Sequence, residues 1–434
     1  MSRSTPDKPR HVRGLSCLGL ANAGRTLYRA AQVSHRELFL GVLLGVLYVT
    51  AIVALRDRNS LTDEVNHFAQ IHLLLRGDWR VVGQLTTIPG YHAATAAILW
   101  LSGADSLAAA RLVSAAFGLL AIAGFHALRR QVWPTTETLA TAQFVALPIM
   151  VPFFFVVYTD IFALALLLWA TFATLKGRHW PSALLLVALV CVRQNEVVWA
   201  GFLAMLAVWP AWRRSGSRAW REIAACGLPY LLPVAGFLAF WAWNGSISLS
   251  STEAALHPDL SLHAGNLYFA LVLAGALLPF HVLAGLREFA DRARTRPWLF
   301  AIPLLVFAGF WWGFHADNPY NTVFPHYYLH NEFVWATGEY PGLRAALAAL
   351  AAAAACGLAL TLLRPVGSAW IYIFAVLFLA ASWLVESRYV LVPFVLWLAL
   401  REQRGRAIEN ATLALWLVLA VLIFSGTVGH WAFP

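Results

Sequence analysis

The sequence predicts an all-α, polytopic transmembrane protein of about 13 spans, within a range of 12 to 14. Three observations carry that prediction. The 434 residues are 60% apolar and only 12% charged, against roughly 25% charged in soluble domains. Runs of about 18–25 apolar residues recur from one end to the other, each long enough to cross a ~30 Å hydrocarbon core. Those runs do not alternate apolar and polar residues, as barrel strands would. A soluble enzyme, a secreted disulfide scaffold and a disordered chain are thereby excluded. The net charge of +10 is spread as short basic clusters between apolar runs, a pattern of orientation signals rather than a nucleic-acid surface.

Residues 1–36 are Arg-rich and poor in acids, and read as a cytoplasmic basic tail ahead of a single transmembrane domain over 37–434. Hydropathy places helices at 37–55, 107–128, 138–157, 160–175, 180–193, 196–212, 223–243, 264–286, 298–314, 343–363, 369–385, 389–400 and 411–430. The two pieces flanking Arg193 are short enough to be one broken helix. The stretch from Pro89 to Ser102 is too short to span and is expected in the interface. With the N-terminus inside, 23 of 31 Lys and Arg fall in inner segments, and 13 of 21 acids fall outside. Four cysteines (Cys17, Cys191, Cys226, Cys356) show no C-x-x-C or Cys/His spacing, so they suggest neither a disulfide framework nor a zinc site.

Inner connections are short and basic. The outer ones are longer, at 56–106, 244–263 and 315–342, and mix acids, His and Asn with aromatics. Polar groups at the ends of membrane helices are costly unless they line a site, so the chemistry is expected on the outer face. In the first loop Asp63, His67 and Gln70 recur at spacings of four and three, which puts them on one helical face with Glu64 beside them. An N-cap accounts for one of these carboxylates but not for the gathering. Asp160 follows Tyr158-Thr159 with almost no loop, and capping is its bland alternative. Arg193-Gln194-Asn195-Glu196 interrupts an apolar run. Such groups need partners at that depth, and an arginine fork suits phosphate oxygens. His315, Asp317 and Asn318 mark the third loop, and Glu386, Arg388 and Tyr389 open a late helix, where a simple salt bridge is the competing account. Asn244-Gly-Ser246 reads as a turn.

These motifs, in this order, resemble the GT-C membrane glycosyltransferases. More narrowly, they resemble the terminal α-1,2-glucosyltransferase family of dolichol-linked oligosaccharide assembly. The matching segments are Asp63-Glu64-x-x-His67-x-x-Gln70, Thr86-Thr87-x-Pro89-Gly90 (with Tyr91 directly following, where the family has one residue between), and Tyr158-Thr159-Asp160. They continue with Arg193-Gln194 through Trp199, Asn244-Gly-Ser246, Ala316-Asp317-Asn318 and Glu386-x-Arg388-Tyr389. The family's Gly-Asp-Lys-Ser-x-His is replaced by Ser250-Ser-Thr-Glu253, with His257 further on.

The resemblance implies transfer of a hexose, glucose favoured, from a polyprenyl-phosphate donor to a hydroxyl of a lipid-linked or surface glycan, with inversion. It implies catalytic Asp63, Glu64 and Asp160, with Asp63 as base. Substrate binding would fall to His67, Gln70, Arg193, Gln194, His315, Asp317, Asn318, Glu386, Arg388 and Tyr389. No cofactor is required and no metal ligand set is expected, though a divalent metal stays open. The partners are the donor, the acceptor and the bilayer, with no nucleic acid. The Ala/Leu/Arg/Trp-rich composition looks bacterial, which would place the site in the periplasm; in a eukaryote the membrane would be the endoplasmic reticulum. The rival reading is a transporter or flippase of lipid-linked sugars. It predicts internal repeats and ionisable groups near the midplane, and neither is visible.

Overall fold

The computed structural model describes residues 35–214, 216–259 and 261–434. The expected basic tail lies almost wholly outside them. The chain divides into two units, residues 1–47 and 48–434, and every residue of the candidate site belongs to the second.

The described residues form helices and, apart from two isolated bridges, no strands. In order these are α1 (His35–Arg56), α2 (Glu64–Leu75), α3 (Gly90–Ser102), α4 (Leu107–Val132), α5 (Glu137–Val145), α6 (Asp160–Leu175), α7 (His179–Val192), α8 (Val198–Trp212), α9 (Ser217–Gly227) and α10 (Leu231–Asn244). There follow α11 (Ser251–Ala254), α12 (Gly265–Leu277), α13 (Pro279–Thr295), α14 (Ala301–Gly313), α15 (Leu329–Glu339), α16 (Pro341–Leu358), α17 (Ile371–Ala380), α18 (Ser387–Leu400) and α19 (Arg406–Val428). Among the described residues, five helices are long and apolar enough to cross a membrane: Leu38–Arg56, Leu107–Val132, Ala219–Asn244, Pro341–Leu358 and Arg406–Val428. Five further apolar helices are shorter. The chain is a membrane protein by this measure.

Several expected helices are corrected. The run at 138–157 is helical only to Val145; Pro148 and Pro152 remove backbone donors, and a short 3₁₀ turn, Val151–Phe154, follows. The run at 264–286 is two helices bent by 101°. Leu278, just before Pro279, is non-helical, as a residue preceding proline tends to be. The run at 369–385 stops at Ala380, freeing 381–386 to lead into the start of α18. The 315–342 loop contains α15. Around Arg193 the chain turns extended (φ −147°, ψ 101°) between α7 and a 3₁₀ turn, so the polar run is a true break.

Contacts between connections sort into two groups. In one, Arg129 donates to the carbonyls of Ala399 and Arg401, Trp133 to Leu400, and Arg404 to Glu288. There the buried Arg401 guanidinium grips Glu409 with two 2.7 Å bonds, joined by His281 and Gln143. In the other group Gln194 donates to the carbonyls of Thr86 and Ile247, Ser250 to Gly83, and Asn321 to Val385. Gly90 lets α3 start against α7, because a Cβ there would stand 2.4 Å from the Cys191 carbonyl oxygen. That approach sets the Thr86–Gly90 segment beside Arg193.

Candidate functional site

The second group of connections encloses a cavity of about 300 Å³. Its walls come from the start of α2, the 84–87 segment, the break after α7, the loops around Glu253 and Tyr320, and the start of α18.

Asp63 caps α2. Its backbone N–H donates to the Tyr158 hydroxyl at 3.0 Å, and Thr62 just before it adopts φ 46°. A β-branched residue in the left-handed region is strained, and such strain clusters at functional sites. The turn is held from behind by Glu64, fully buried, whose carboxylate accepts from Arg111 at 2.9 and 2.5 Å and from the N–H groups of Leu61 and Val157. Arg111 also donates to the carbonyls of Leu55, Arg58 and Asn59. Glu64 therefore has no free face, whereas the Asp63 side chain is 56% exposed and opens on the cavity.

Two arginines line the same cavity as Asp63. Arg388 Nη2 stands 3.6 Å from Asp63 Oδ2, lies over the Tyr158 ring, and makes two 2.6 Å contacts with Glu386 Oε1. Burial holds the Glu386 carboxyl above its usual range while Arg388 pulls it down. Arg193 pairs with Asp160 and stands 3.5 Å from Glu196. Asp160 thus serves as counter-ion behind Arg193 and does not line the main cavity. Among the described residues, four buried atoms of these charged groups lack a hydrogen-bond partner: Asp160 Oδ2, Arg193 Nε, Glu196 Oε2 and Glu386 Oε2. Buried polar atoms are normally paired, and of these residues Arg193 and Glu386 line the cavity, where a polar ligand would find them.

His67, one turn along α2 from Asp63, also lines the cavity and shares a 2.9 Å hydrogen bond with buried His92 of α3. Burial, then Arg388 and Arg193, lower the His67 pKa to about 3, and it stays neutral. Tyr389 lines the cavity as well.

The remaining expected site residues are placed elsewhere. Gln70 bonds the backbone of Arg80 and Val82, and Gln194 ties Thr86, Ile88 and Ile247 together. His315 is exposed and bonds the Trp312 carbonyl. Asp317 accepts from the Trp383 indole, which lowers its pKa. Asn318 is buried against the Leu256 carbonyl. These hold loops rather than face the cavity. Sequence reasoning passed over Arg111, His92 and the wall of Glu253, His257, Tyr320, Phe324 and His330. Of these Arg111 gave a signal as a lone cation inside an apolar helix, and Glu253 and His257 as the residues where the chain departs from the family's segment.

The residues from Asp63 to Tyr389 fall within the two stretches, 58–221 and 215–399, that match the model of the DIE2/ALG10 family. The chain is 28% identical over 161 residues to the Dol-P-Glc:Glc(2)Man(9)GlcNAc(2)-PP-Dol alpha-1,2-glucosyltransferase of Yarrowia lipolytica (strain CLIB 122 / E 150). That match covers 34% of this chain and spans only 31% of the relative's length. No solved structure matches.

Proposed function

The chain belongs to the DIE2/ALG10 family, and on that premise we propose that it is a membrane hexosyltransferase of the α-1,2-glucosyltransferase kind, with a fold of GT-C type. It transfers a hexose, glucose favoured, from a polyprenyl-phosphate donor to a hydroxyl of a lipid-linked or surface glycan. The observation that carries this reading is the pairing in one cavity of an open carboxylate, Asp63, with two guanidinium groups, the buried Arg193 and the partly buried Arg388.

In the proposed step the acceptor oxygen attacks the anomeric carbon and its proton passes to Asp63. The bond from that carbon to the phosphate oxygen breaks, and the departing phosphate gathers negative charge beside Arg388 and Arg193. A positioned base and pre-oriented cations are what such a displacement needs. Attack opposite the leaving phosphate inverts the anomeric centre. Glu64 and Asp160 act indirectly, the first by fixing the Asp63 turn and the second by holding Arg193.

A lipid-borne donor is supported by a second feature. An apolar groove of about 480 Å³ runs among α12, α16, α17 and α18, lined by residues such as Leu271, Ala355, Tyr372, Val390, Phe394 and Trp397. Helix α18 therefore presents Arg388 and Tyr389 to the cavity and, from Val390 on, one wall of the groove. A phosphate held at Arg388 leaves its polyprenyl chain there. The outward orientation, about 13 spans and a single domain over 37–434 belong to the same proposal. The 23-to-8 division of basic residues and the sorting of connections support it. In a bacterial cell the site would face the periplasm.

The test is incubation of the purified protein with synthetic polyprenyl-phosphate hexoses and glycan acceptors, reading free polyprenyl phosphate and extended glycan. Stoichiometric release and extension are expected, fastest with glucose. Neither product forming with any hexose would overturn the proposal.

A further inference from the structure

The cavity has two chemically different walls. The wall at α18 and the break after α7 carries the cations. A second wall, from the 244–263 and 315–342 loops, carries Glu253, His257, Tyr320, Val323 and Phe324, with no Lys or Arg among its lining residues. It is also the open side: Tyr320 is 38%, Val323 41% and Phe324 68% exposed.

Phe324 is held where it is at a cost. Its φ of 47° is one that a bulky side chain rarely adopts, and an exposed phenylalanine gains nothing from burial. The loop is fastened around it. Asn331 donates to the carbonyls of Tyr320 and Val323, and Asn321 bonds Asn331 and both backbone groups of Val385. The N–H groups of Tyr327 and Tyr328 return to the Phe324 carbonyl. Asn318 anchors the loop to Leu256, and the Tyr320 hydroxyl donates to Glu253 Oε2 at 2.8 Å. A strained, exposed ring on a firmly tied loop is a preorganised contact surface, since a ligand meeting it pays little ordering cost.

We propose that Phe324, Tyr320, Glu253 and His257 form the acceptor subsite, a platform that takes a neutral pyranose ring of the glycan. The apolar C–H face of the sugar rests on the Phe324 ring, while Glu253 and His257 meet its hydroxyl edge. A wall without cations suits an uncharged sugar and leaves the phosphate to Arg193 and Arg388. Asp63 lines the same cavity as His257 and Tyr320 and stands 3.6 Å from Arg388, and His257 feels the charges of both Arg388 and Asp63. An acceptor hydroxyl on the platform thus meets the base at the boundary between the two walls. This assignment rests on the hexosyl-transfer reading for the word acceptor, though not for the binding itself.

The test uses the full chain in lipid nanodiscs with methyl α-glucoside as probe, read by saturation-transfer NMR, alongside the apparent KM values for polyprenyl-phosphate glucose and a glucosyl-terminated glycan. Phe324→Ala should abolish saturation of the glucoside and raise the glycan KM roughly tenfold or more, the scale of losing a central contact. The donor KM should not move. Phe324→Trp should restore both, and Phe324→Gly, which relieves the strained backbone but lacks the ring, should behave as Ala does. No glucoside saturation in the wild type, equal saturation in Phe324→Ala, or a donor KM rising in step would overturn the assignment. Glucoside binding that depends on Phe324 without any hexosyl transfer would contradict the proposed reaction and leave the sugar platform standing.

Discussion

Adjacent acids at the start of α2 meet opposite fates. Asp63 opens on the cavity, while both oxygens of Glu64 are taken by Arg111 and two backbone N–H groups. Removing one partner of a buried, hydrogen-bonded ion pair typically costs about 3–5 kcal/mol, because the other charge is stranded. Glu64→Gln should therefore lower the thermal unfolding temperature and the folded yield. Glu64→Leu combined with Arg111→Met should not recover that loss, because it strands two backbone N–H groups and three carbonyls, whereas an Asp63→Asn chain should melt like the wild type. Equal melting of Glu64→Gln and wild type would show that the pair is dispensable. For Arg193 the geometry of the fork matters as well as the charge. Arg193→Lys keeps a cation but loses the planar fork that can bond Asp160 and a phosphate oxygen in fixed directions, so turnover should fall substantially. A lysine variant with wild-type turnover and donor affinity would remove Arg193 from the phosphate site. The residues in these motifs were legible because charged groups stand out in apolar runs. The Glu64–Arg111 pair was not, since 47 residues separate the partners and nothing local joins them.

At the scale of elements, α2, α3 and α15 each bring a buried imidazole to the site: His67, His92 and His330. Burial lowers all three, His67 and His330 to about 3. The unfolded chain takes up protons at His67 and His330 below about pH 6.5, which the folded chain refuses until near 3. Their contribution is full above pH 6.5 and is lost as pH falls through that window, by about 2 kcal/mol for each independent group at pH 5. The melting temperature should drop between pH 7 and pH 5, and less steeply in His330→Gln. Identical slopes would mean that His330 titrates normally in the fold. The apolar runs themselves predicted most helices. The bend at Pro279 escaped because hydropathy does not register direction, although the proline marked the place. The early end of α17 escaped because Trp383, Leu384 and Val385 read as membrane-spanning yet serve to lead Glu386 and Arg388 to the cavity. The sugar platform was illegible: its residues come from two loops whose meeting depends on asparagine side chains bonding distant backbone.

For the whole molecule, a donor presented from outside requires the cavity end to face away from the cytoplasm. Ser60 and Thr322 are exposed on connections at that end, and Arg178 is exposed on a connection assigned to the other. Single cysteines at Ser60 and Thr322, in a chain otherwise free of cysteine, should react with an impermeant thiol reagent in intact spheroplasts. A cysteine at Arg178 should react only after lysis. The reverse pattern would put the site on the cytoplasmic face and exclude a donor presented from outside.

In the proposed reaction, transfer turns on Asp63 taking the proton from the acceptor hydroxyl. A positioned carboxylate base is typically worth about 10²–10⁴-fold. The measurement is single-turnover transfer from polyprenyl-phosphate glucose in Asp63→Asn and Asp160→Asn, each at saturating donor and with melting temperature and donor affinity recorded. Asp63→Asn is expected to fold, to bind donor as the wild type does, and to lose transfer by that factor. Asp160→Asn should instead weaken donor binding through Arg193. An Asp63→Asn chain that transfers at the wild-type rate, while Asp160→Asn binds donor and is inactive, would contradict the role of Asp63 and make Asp160 the base.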